Sequence, residues 1–295
     1  MKTARSNIPP LQCELPIDTE TPITLFSKLC KTNPYVFLFE SAEQSGESGK
    51  YSFIGFDPLF TVSLFEKNGK GEVHIEKDGK KKIASFTDPL APLKNELSKM
   101  APFQGNRAYP RFQAGLVGYF GYDLVTFFEP VKLPKKKHPF LRDIPEGIFF
   151  FPKTLLTFDH RRGKLLITTY ETKPGFLETL KKKITKPHVL PPLPFDETNE
   201  TLEKPFFEKP ENPEFIKMAL RAKTSIRNGE CIQIVLSQRY EMETQKDDMT
   251  LYRLLRRANP SPYMFLMRLP GFSIIGSSPE TLMDPSTSSS EHIAC

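Results

Sequence analysis

The amino-acid sequence predicts an α+β fold, in which an antiparallel sheet within the first ~190 residues precedes a second, shorter unit. Two hairpins predict the sheet, because strand-like apolar runs flank glycine-containing turns in "LFTVSLFEKNGKGEVHIEKDG" and "GIFFFPKTLLTFDHRRGKLLITTY". A segment rich in proline and acidic residues, "KPHVLPPLPFDETNETLEKPFFEKPEN", predicts an extended linker. The predicted parts are an N-terminal domain at 1–186, a linker at 187–212, the start of a second domain at 213–283 and a tail at 284–295.

The first elements of the N-terminal domain follow from local patterns. The stretch "DTETPITLFSKL" predicts a short helix, with Thr21 or an adjacent threonine as its cap. The stretch "YVFLFESAEQSGESGKYSFIGFDP" predicts a strand, a polar loop and a second strand. The first hairpin turns between Asn68 and Gly71.

Two helices and the second hairpin complete this domain. The segment "DPLAPLKNELSKM" predicts a helix with Leu90, Leu93 and Leu97 on one face. The second hairpin turns at Arg162 and Gly163, and a helix follows at "FLETLKKKITK".

The second unit opens with a helix whose start and end are both marked. Asn212 caps it, Pro213 takes the first helical position, and Asn228-Gly229 ends it. The stretch "ECIQIVLSQRYEM" then predicts a strand, and "LYRLLRRANP" predicts a helix that stops before proline. Two strands follow around Pro270-Gly271 in "YMFLMRLPGFSIIGSSPE".

Charge and composition exclude several classes of function. The net charge of +6 comes largely from lysine runs at 80–82, 135–137 and 181–183. Each run lies beside turn residues, so we interpret them as solvated surface; the alternative is a patch for nucleic acid or an acidic partner. No nucleic-acid-binding signature accompanies the runs, and the prediction is therefore no nucleic acid.

Cysteine usage and the N-terminus predict a cytoplasmic protein with no membrane segment. The four cysteines form no CxxC pair, which argues against a disulfide framework and a zinc site; they are Cys13, Cys30, Cys231 and Cys295. The N-terminal stretch lacks the apolar core of a signal peptide, and no run reaches the length of a membrane span. The glycines of "GLVGYFGYD" do not form a dinucleotide fingerprint and predict close backbone packing.

Six motifs in series carry a resemblance to a known family. In the first domain they are "FLFESA", "GKYSFIGFDP" and "AGLVGYFGYDLVTFFE"; in the second they are "GECIQIVLSQRY" and "ANPSPYMFLMRL", with "IIGSSPE" closing the hairpin. In this order and spacing the chain resembles the chorismate-utilising enzymes, and among them the large subunit (component I) of anthranilate synthase. The resemblance runs from about residue 20 to Met283. It implies an N-terminal regulatory domain followed by the beginning of a chorismate-binding α/β sandwich, which is incomplete here.

The resemblance also implies a reaction, a metal and a partner. Chorismate receives ammonia at C2, loses its C4 hydroxyl and eliminates pyruvate, which yields anthranilate. A glutamine amidotransferase subunit (component II) supplies the ammonia, and Mg²⁺ holds a substrate carboxylate. Glu280 of "GSSPE" matches the family glutamate that assists departure of the hydroxyl, a poor leaving group that a carboxylic acid can protonate. Taken alone, "SPE" is an ordinary turn.

Gln233 bears on the nature of the nucleophile. The relatives that add water have a lysine at this position as a base, whereas ammonia needs no such base, so a neutral amide favours an amine-adding enzyme. The alternative for Gln233 is a buried strand residue with a hydrogen-bond partner.

The resemblance further implies a pocket for L-tryptophan as feedback inhibitor. The matching residues lie in "FLFES", "GKYSFIG" and "NPSPYM" and are Glu40, Ser41, Lys50, Pro262, Tyr263 and Met264. A carboxylate suits an ammonium group, and tyrosine and methionine suit an indole ring. Because the motifs flank the linker, we expect the pocket between the two units, where a ligand biases the geometry of one against the other. The alternative is that Tyr263 and Met264 only begin a core strand.

The C-terminal stretch bears on completeness. After "GSSPE" the family continues with an "AGTR"-type loop, the carboxylates that hold Mg²⁺ and a glycine-rich loop, whereas "DPSTSSSEHIAC" has no strand alternation. The sequence therefore predicts a truncated large subunit that is inactive alone, with no metal ligands of its own. Two alternatives stay open: aminodeoxychorismate synthase component I, and a non-catalytic module that binds tryptophan or a partner protein.

Overall fold

The chain divides into two compact units. The computed structural model describes residues 9–41, 50–67, 69–100, 103, 105–110, 112–133, 144–193, 207–209 and 212–280. Unit 1 is drawn from 1–191 and 248–295, and unit 2 from 192–247. The predicted tail, the lysine run at 135–137 and most of the predicted linker lie outside the described residues.

Unit 1 contains most of the secondary structure. Its strands are β1 Leu11–Pro16, β2 Val36–Glu40, β3 Tyr51–Lys67, β4 Lys70–Lys77, β5 Lys80–Phe86, β6 Val117–Phe120, β7 Gly147–Asp159, β8 Lys164–Thr169, and, beyond unit 2, β11 Tyr263–Leu269 and β12 Phe272–Ser278. Its helices are α1 Pro22–Leu29, α2 Leu90–Leu97, a 3-10 helix at Tyr122–Phe127, α3 Phe176–Thr185 and α5 Asp248–Ala258. Unit 2 contains β9 Phe207–Lys209, α4 Asn212–Arg227 and β10 Arg239–Glu241.

Every strand of unit 1 belongs to one antiparallel sheet, which confirms the predicted fold class. The strand order is β1-β8-β7-β3-β2-β11-β12, with β4 and β5 extending from β3, and β6 pairing with β7. The long strand β3 pairs with three neighbours, and its register shifts between Pro58 and Phe60. No helix within the described ranges has both the length and the apolar composition needed to cross a membrane.

The apolar core lies on both faces of this sheet. On one face α1, α3 and α5 cover the central strands, and Phe26, Ile184 and Tyr252 pack with strand residues such as Leu38. The opposite face of β2, β7 and β11 carries Phe37 and other buried apolar side chains. Period-two alternation along each strand produces this division.

Helix α1 forms as predicted from its cap. Thr21 Oγ1 accepts from the backbone N–H of Thr24 at 3.1 Å, and Thr24 Oγ1 accepts from the N–H of Thr21 at 2.9 Å. Pro22 takes the first helical position, where its missing N–H costs nothing. Both predicted hairpins and the predicted helices are also present.

The predicted strand at "ECIQIVLSQRYEM" is wrong for most of its length. Only Arg239–Glu241 is a strand, which pairs with Phe207–Lys209. Residues 231–238 are irregular, and the exposed fractions of Ile232 and Val235 are 98% and 83%. The apolar alternation is present, but the described residues supply no partner strand for it, and a strand needs a ladder of hydrogen bonds.

The compact units differ from the predicted domain boundaries in one respect. The sequence pattern predicts the hairpin β11–β12 in a second domain, yet β11 pairs with β2, so both strands extend the N-terminal sheet. Helix α5 packs on the same sheet through Tyr252. Only the segment between α3 and α5 forms a separate unit.

Candidate functional site

A cavity of about 930 Å³ lies at one end of the β2–β11 pair in unit 1. Its wall includes five of the residues that the sequence predicts for a tryptophan pocket: Glu40, Ser41, Pro262, Tyr263 and Met264. The structure thus brings together two segments more than 200 residues apart in the chain. All the lining residues belong to unit 1, so the cavity is formed within one compact unit. The sequence, in contrast, predicts a pocket between the two domains that the linker separates.

Strand register explains why these residues meet. Glu40 and Met264 are direct partners across the antiparallel β2–β11 pair, and Phe39 is the partner of Phe265. Directly opposed residues in such a pair point to the same face, and successive residues point to opposite faces. Glu40 and Met264 therefore point to the face that α5 covers, and Phe39 and Phe265 point to the other. Ser41 follows the end of β2 and Tyr263 begins β11, so both lie at the same edge of the cavity.

The connection from α5 to β11 places Pro262 and Tyr263. Helix α5 ends at Ala258, and Pro260 prevents its continuation. The side chain of Ser277 donates to the carbonyl of Asn259 at 2.7 Å, and the buried hydroxyl of Ser261 donates to the carbonyl of Ser278. These two bonds fix the connection against the end of β12.

Glu40 is the charged group of the site. It is only 6% exposed, and Arg256 Nε of α5 forms an ion pair with its Oε1. Tyr252, one helical turn earlier, is also buried and lies close enough to the carboxylate to interact with it. Within the described residues, however, neither Glu40 oxygen nor the Tyr252 hydroxyl has a partner in hydrogen-bond geometry. The ion pair is therefore a contact of charges without an aligned bond, and the carboxylate keeps acceptor capacity.

Burial dominates the electrostatics around Glu40. Loss of solvation raises the pKa of the Glu40 carboxyl above its ordinary value, and the charge of Arg256 offsets only part of this effect. Burial also raises the pKa of the Tyr252 hydroxyl, and the nearby Glu40 charge raises it further. Tyr252 is accordingly a neutral group throughout the physiological range.

Aromatic side chains form the remainder of the cavity wall. They include Phe39, Phe53, Phe112, Tyr119 and Phe149, with Phe265 from β11. The rings of Phe53 and Phe112 meet edge to face at 5.4 Å, an arrangement that aromatic pairs favour. Such a wall suits a flat apolar ring.

Gly118 allows this wall to form. A Cβ atom at Gly118 would lie 2.0 Å from the carbonyl oxygen of Ile148, so β6 approaches β7 more closely than any other residue permits. This confirms the predicted close backbone packing at Gly118, whereas a Cβ atom at Gly115 would meet only the ring of Phe112.

Lys50 lies beside the cavity and does not line it. It directly precedes Tyr51, a lining residue, at the start of β3. Its carbonyl accepts a hydrogen bond from the backbone N–H of His160 at 3.0 Å. A role of its side chain in ligand binding stays a prediction.

The two residues predicted to act in catalysis belong to different compact units. Glu280 follows β12 in unit 1 and is exposed, and its carbonyl accepts from Ser278 Oγ at 2.8 Å. Gln233 belongs to the irregular segment of unit 2 and is exposed. The exposure of Gln233 excludes the alternative of a buried strand residue in this structure.

The described residues do not fit the Mg²⁺ ion that the resemblance implies. No group of three or more His, Cys, Asp and Glu side chains in this part of the chain is arranged to hold a metal. We therefore derive no chemical step through a metal from these residues.

Sequence reasoning missed Arg256 and Tyr252. They are four residues apart on α5, so a helix places them on one face. That spacing was visible in "LYRLLRRANP". Nothing in the local pattern, however, indicates that this face meets Glu40.

Comparisons with known proteins agree with this architecture. The chain is 33% identical over 291 residues to anthranilate synthase component 1 of Aquifex aeolicus, a match that covers 94% of the chain and 56% of that protein. It is 32% identical to the protein of the same name from Acetivibrio thermocellus, with 94% and 57% covered. The chain thus spans about half the length of the curated relatives it matches.

A solved structure supports the fold. The crystal structure of anthranilate synthase component I from Streptococcus pneumoniae TIGR4 superposes with a TM-score of 0.55 at 24% identity, over 81% of this chain and 52% of that one. The model of the family described as chorismate binding enzyme matches residues 34–289. Since this match covers most of the sequence and includes both motifs that line the cavity, the chain belongs to the family of chorismate binding enzymes.

Proposed function

We propose that the chain acts in an anthranilate synthase large subunit and that its cavity binds L-tryptophan as a feedback inhibitor. The observation that carries the proposal is the convergence of Glu40, Ser41, Pro262, Tyr263 and Met264 on one cavity. These residues come from two distant motifs, and only the paired strands β2 and β11 bring them together.

The chemistry of the cavity matches that of an aromatic amino acid. A buried carboxylate with spare acceptor capacity suits an ammonium group, since a charged hydrogen bond restores part of the solvation that Glu40 has lost. The aromatic wall and Met264 suit an indole ring. The volume lies within the range usual for small-molecule sites.

The proposed reaction is the conversion of chorismate and ammonia to anthranilate, pyruvate and water. Glu280, as a carboxylic acid, protonates the departing C4 hydroxyl, which leaves as water while ammonia bonds to C2. Loss of the C2 proton and cleavage of the enol ether bond then release pyruvate. Gln233 contributes a neutral amide at the position where a base is required only if water is the nucleophile.

Other components of the proposal rest on the family alone. They are a glutamine amidotransferase partner (component II) as the source of ammonia, a cytoplasmic location, and Mg²⁺ bound by residues other than those described. All the residues of the proposed tryptophan cavity belong to unit 1, and neither Glu280 nor Gln233 lines it. This observation favours, as a second candidate, a chain that binds tryptophan without turning chorismate over.

Calorimetric titration of the 295-residue chain with L-tryptophan tests the binding proposal. We expect saturable binding, and we expect Glu40→Gln to weaken it by about 1.5–3 kcal/mol, or roughly 10- to 150-fold, because the variant loses a charged hydrogen bond. Glu76→Gln is the matched control, since Glu76 is a half-exposed residue of β4 outside the cavity wall. Absence of heat at millimolar L-tryptophan contradicts the proposal.

A product assay separates the catalytic candidates. Chorismate, ammonium and Mg²⁺ are supplied to the purified chain and to an enzyme in which the chain is joined to the remaining length of its relatives. Anthranilate from the longer enzyme supports the proposed reaction, whereas aminodeoxychorismate identifies the alternative synthase. Tryptophan binding by the 295-residue chain without turnover supports the second candidate.

A further inference from the structure

Arg256 lies close to the cavity and has no role in the proposed function. It lies on α5, three residues before Asn259, and does not belong to the cavity wall. Its guanidinium nevertheless contacts the most buried charge of the site, the Glu40 carboxylate. The contact is unequal, because the Arg256 side chain is 43% exposed and that of Glu40 is 2% exposed.

This asymmetry determines what the pair does. Arg256 remains partly hydrated, so it loses little solvation on pairing. Glu40 has lost nearly all of its solvation, and a buried carboxyl takes up a proton unless a positive charge lies nearby. A protonated Glu40 would not pair with an ammonium group.

We propose that Arg256 is a positioning residue that keeps Glu40 ionised at the cavity wall, so that the carboxylate can receive the ammonium group of an amino-acid ligand. The inference rests on the proposed tryptophan site and specifies how that site is kept in its binding state. One Glu40 oxygen contacts Arg256, and the other, which is buried, has no hydrogen-bond partner among the described residues. On this inference, the second oxygen accepts the hydrogen bond from the ligand's ammonium group.

The other groups near Glu40 do not substitute for Arg256. On α5, the nearby Tyr252 is neutral. On β11, the residue directly opposite Glu40 is Met264, which carries no charge. Beyond the end of β7, His160 shares a 2.7 Å hydrogen bond with Ser52. Burial lowers the pKa of His160; the charge of Asp159 opposes this effect, and that of Arg256 adds to it. The imidazole is therefore neutral above about pH 6.5.

Tryptophan affinity measured between pH 6.5 and 8.5, above the ordinary pKa of histidine, tests the inference. We expect Arg256→Met to lower affinity most at pH 6.5, by up to about tenfold for each unit by which loss of the adjacent opposite charge raises the pKa of Glu40. The difference in affinity between Arg256→Met and the unmodified chain should shrink as the pH rises, because Glu40 then ionises even without Arg256. Arg256→Lys should keep the profile of the unmodified chain, and Arg257→Met, on the next residue of the same helix, is the control for net charge.

Three results overturn the inference. Arg256→Met with unchanged affinity shows that the guanidinium is not needed. An equal loss at every pH shows a purely structural effect. Tighter binding at every pH shows that Arg256 competes with the ligand for Glu40.

A measurement without ligand keeps the inference separate from the proposed function. Titration of the Glu40 carboxyl by carbon-13 NMR in the ligand-free chain should show a higher pKa in Arg256→Met than in the unmodified chain. An unmoved pKa overturns the inference even if tryptophan binds. If the unmodified chain binds no tryptophan, the proposed function fails, and the NMR titration alone decides whether Arg256 controls the ionisation of Glu40.

Discussion

Glu40 combines a functional advantage with a cost in stability. A buried carboxylate at the edge of the cavity suits the proposed ammonium ligand, but its burial without an aligned hydrogen bond is unfavourable. Proteins keep such groups where binding needs them, and the ligand then satisfies them. The same side chain should therefore limit the stability of the empty protein.

The pH dependence of stability reveals this cost. Because the pKa of Glu40 is raised in the folded state, its favourable contribution is full below the pKa of the unfolded chain and is lost as the pH rises through the folded value. Glu40→Gln resembles the protonated form at every pH. Thermal unfolding should show equal stability for the two proteins near pH 4 and a more stable variant near pH 8, with about 1.4 kcal/mol for each unit by which the pKa is raised.

Two results contradict this account of Glu40. A stability difference that stays constant from pH 4 to pH 8 would mean that the substitution acts through packing. A less stable variant at pH 8 would mean that the contact with Arg256 outweighs burial. Glu76→Gln, which alters a half-exposed carboxylate, should show no comparable dependence on pH.

Residues of the cavity differ in how far the sequence predicts them. Glu40 and Tyr263 lie in motifs whose order resembles a family, and the structure places both at one cavity. Arg256 was not predicted, because its importance comes from a partner more than 200 residues away. Local spacing assigns the helix face that carries Arg256 but not the strand that this face covers.

At the scale of elements, one polar cluster attaches α5 to the sheet. Arg268 of β11 donates from Nε and Nη2 to the two carboxylate oxygens of Asp248, each at 2.8 Å. Its Nη1 donates to the carbonyl of Cys30 at 2.7 Å, and its guanidinium lies 5.5 Å from the ring centre of Phe26. Arg268 thus joins the start of α5 to the end of α1, and it fixes the helix that carries Arg256.

Asp248→Asn tests the strength of this attachment. The pair is mostly buried, so we expect the free energy of unfolding to fall by about 2–3 kcal/mol, somewhat less than for a fully buried pair. Burial favours a higher pKa for Asp248, but the hydrogen bonds from Arg268 and Ser273 outweigh it, and the net pKa is lowered. The stabilisation from ionised Asp248 is therefore present above about pH 4, the pKa of Asp248 in the unfolded chain. It is lost as the pH falls through the lower pKa of Asp248 in the folded protein.

Chemical denaturation between pH 3 and pH 7 measures this effect. The difference between Asp248→Asn and the unmodified chain should be constant from pH 5 to pH 7 and should shrink toward pH 3. Asp18→Asn, at an exposed position before α1, is the matched control. A difference that does not shrink in acid would show that the Asp248 charge is not what attaches α5.

Elements were predictable where the signal is local. The cap of α1 and the turns of both long hairpins are short-range features, and all three are present. Strand β5 was missed because Lys80, Lys81 and Lys82 hide its alternation, although lysine is typical of sheet edges. The pairing of β2 with β11 could not be read from the sequence, since no local pattern states which distant strand a given strand will meet.

At the scale of the whole chain, the two units differ sharply in burial. None of the fully buried apolar side chains among the described residues belongs to unit 2. On α4, Phe215, Ala219 and Ala222 are only half buried, and Ile226 is exposed. Because apolar burial is the main source of stability, unit 2 should open far more readily than unit 1.

Hydrogen exchange followed by mass spectrometry tests this difference within one sample. Amides of α4 should exchange at least about a hundredfold faster than those of β2, β3 and β11, since central strands open only with the global unfolding of unit 1. L-tryptophan should slow exchange in β2 and β11, whose residues line the cavity, and leave α4 unchanged, because a ligand stabilises only the unit that binds it. Equal protection of α4 and the central strands would contradict the division into a stable and a weakly stable unit. Protection of α4 by tryptophan would show instead that the cavity and unit 2 are energetically coupled.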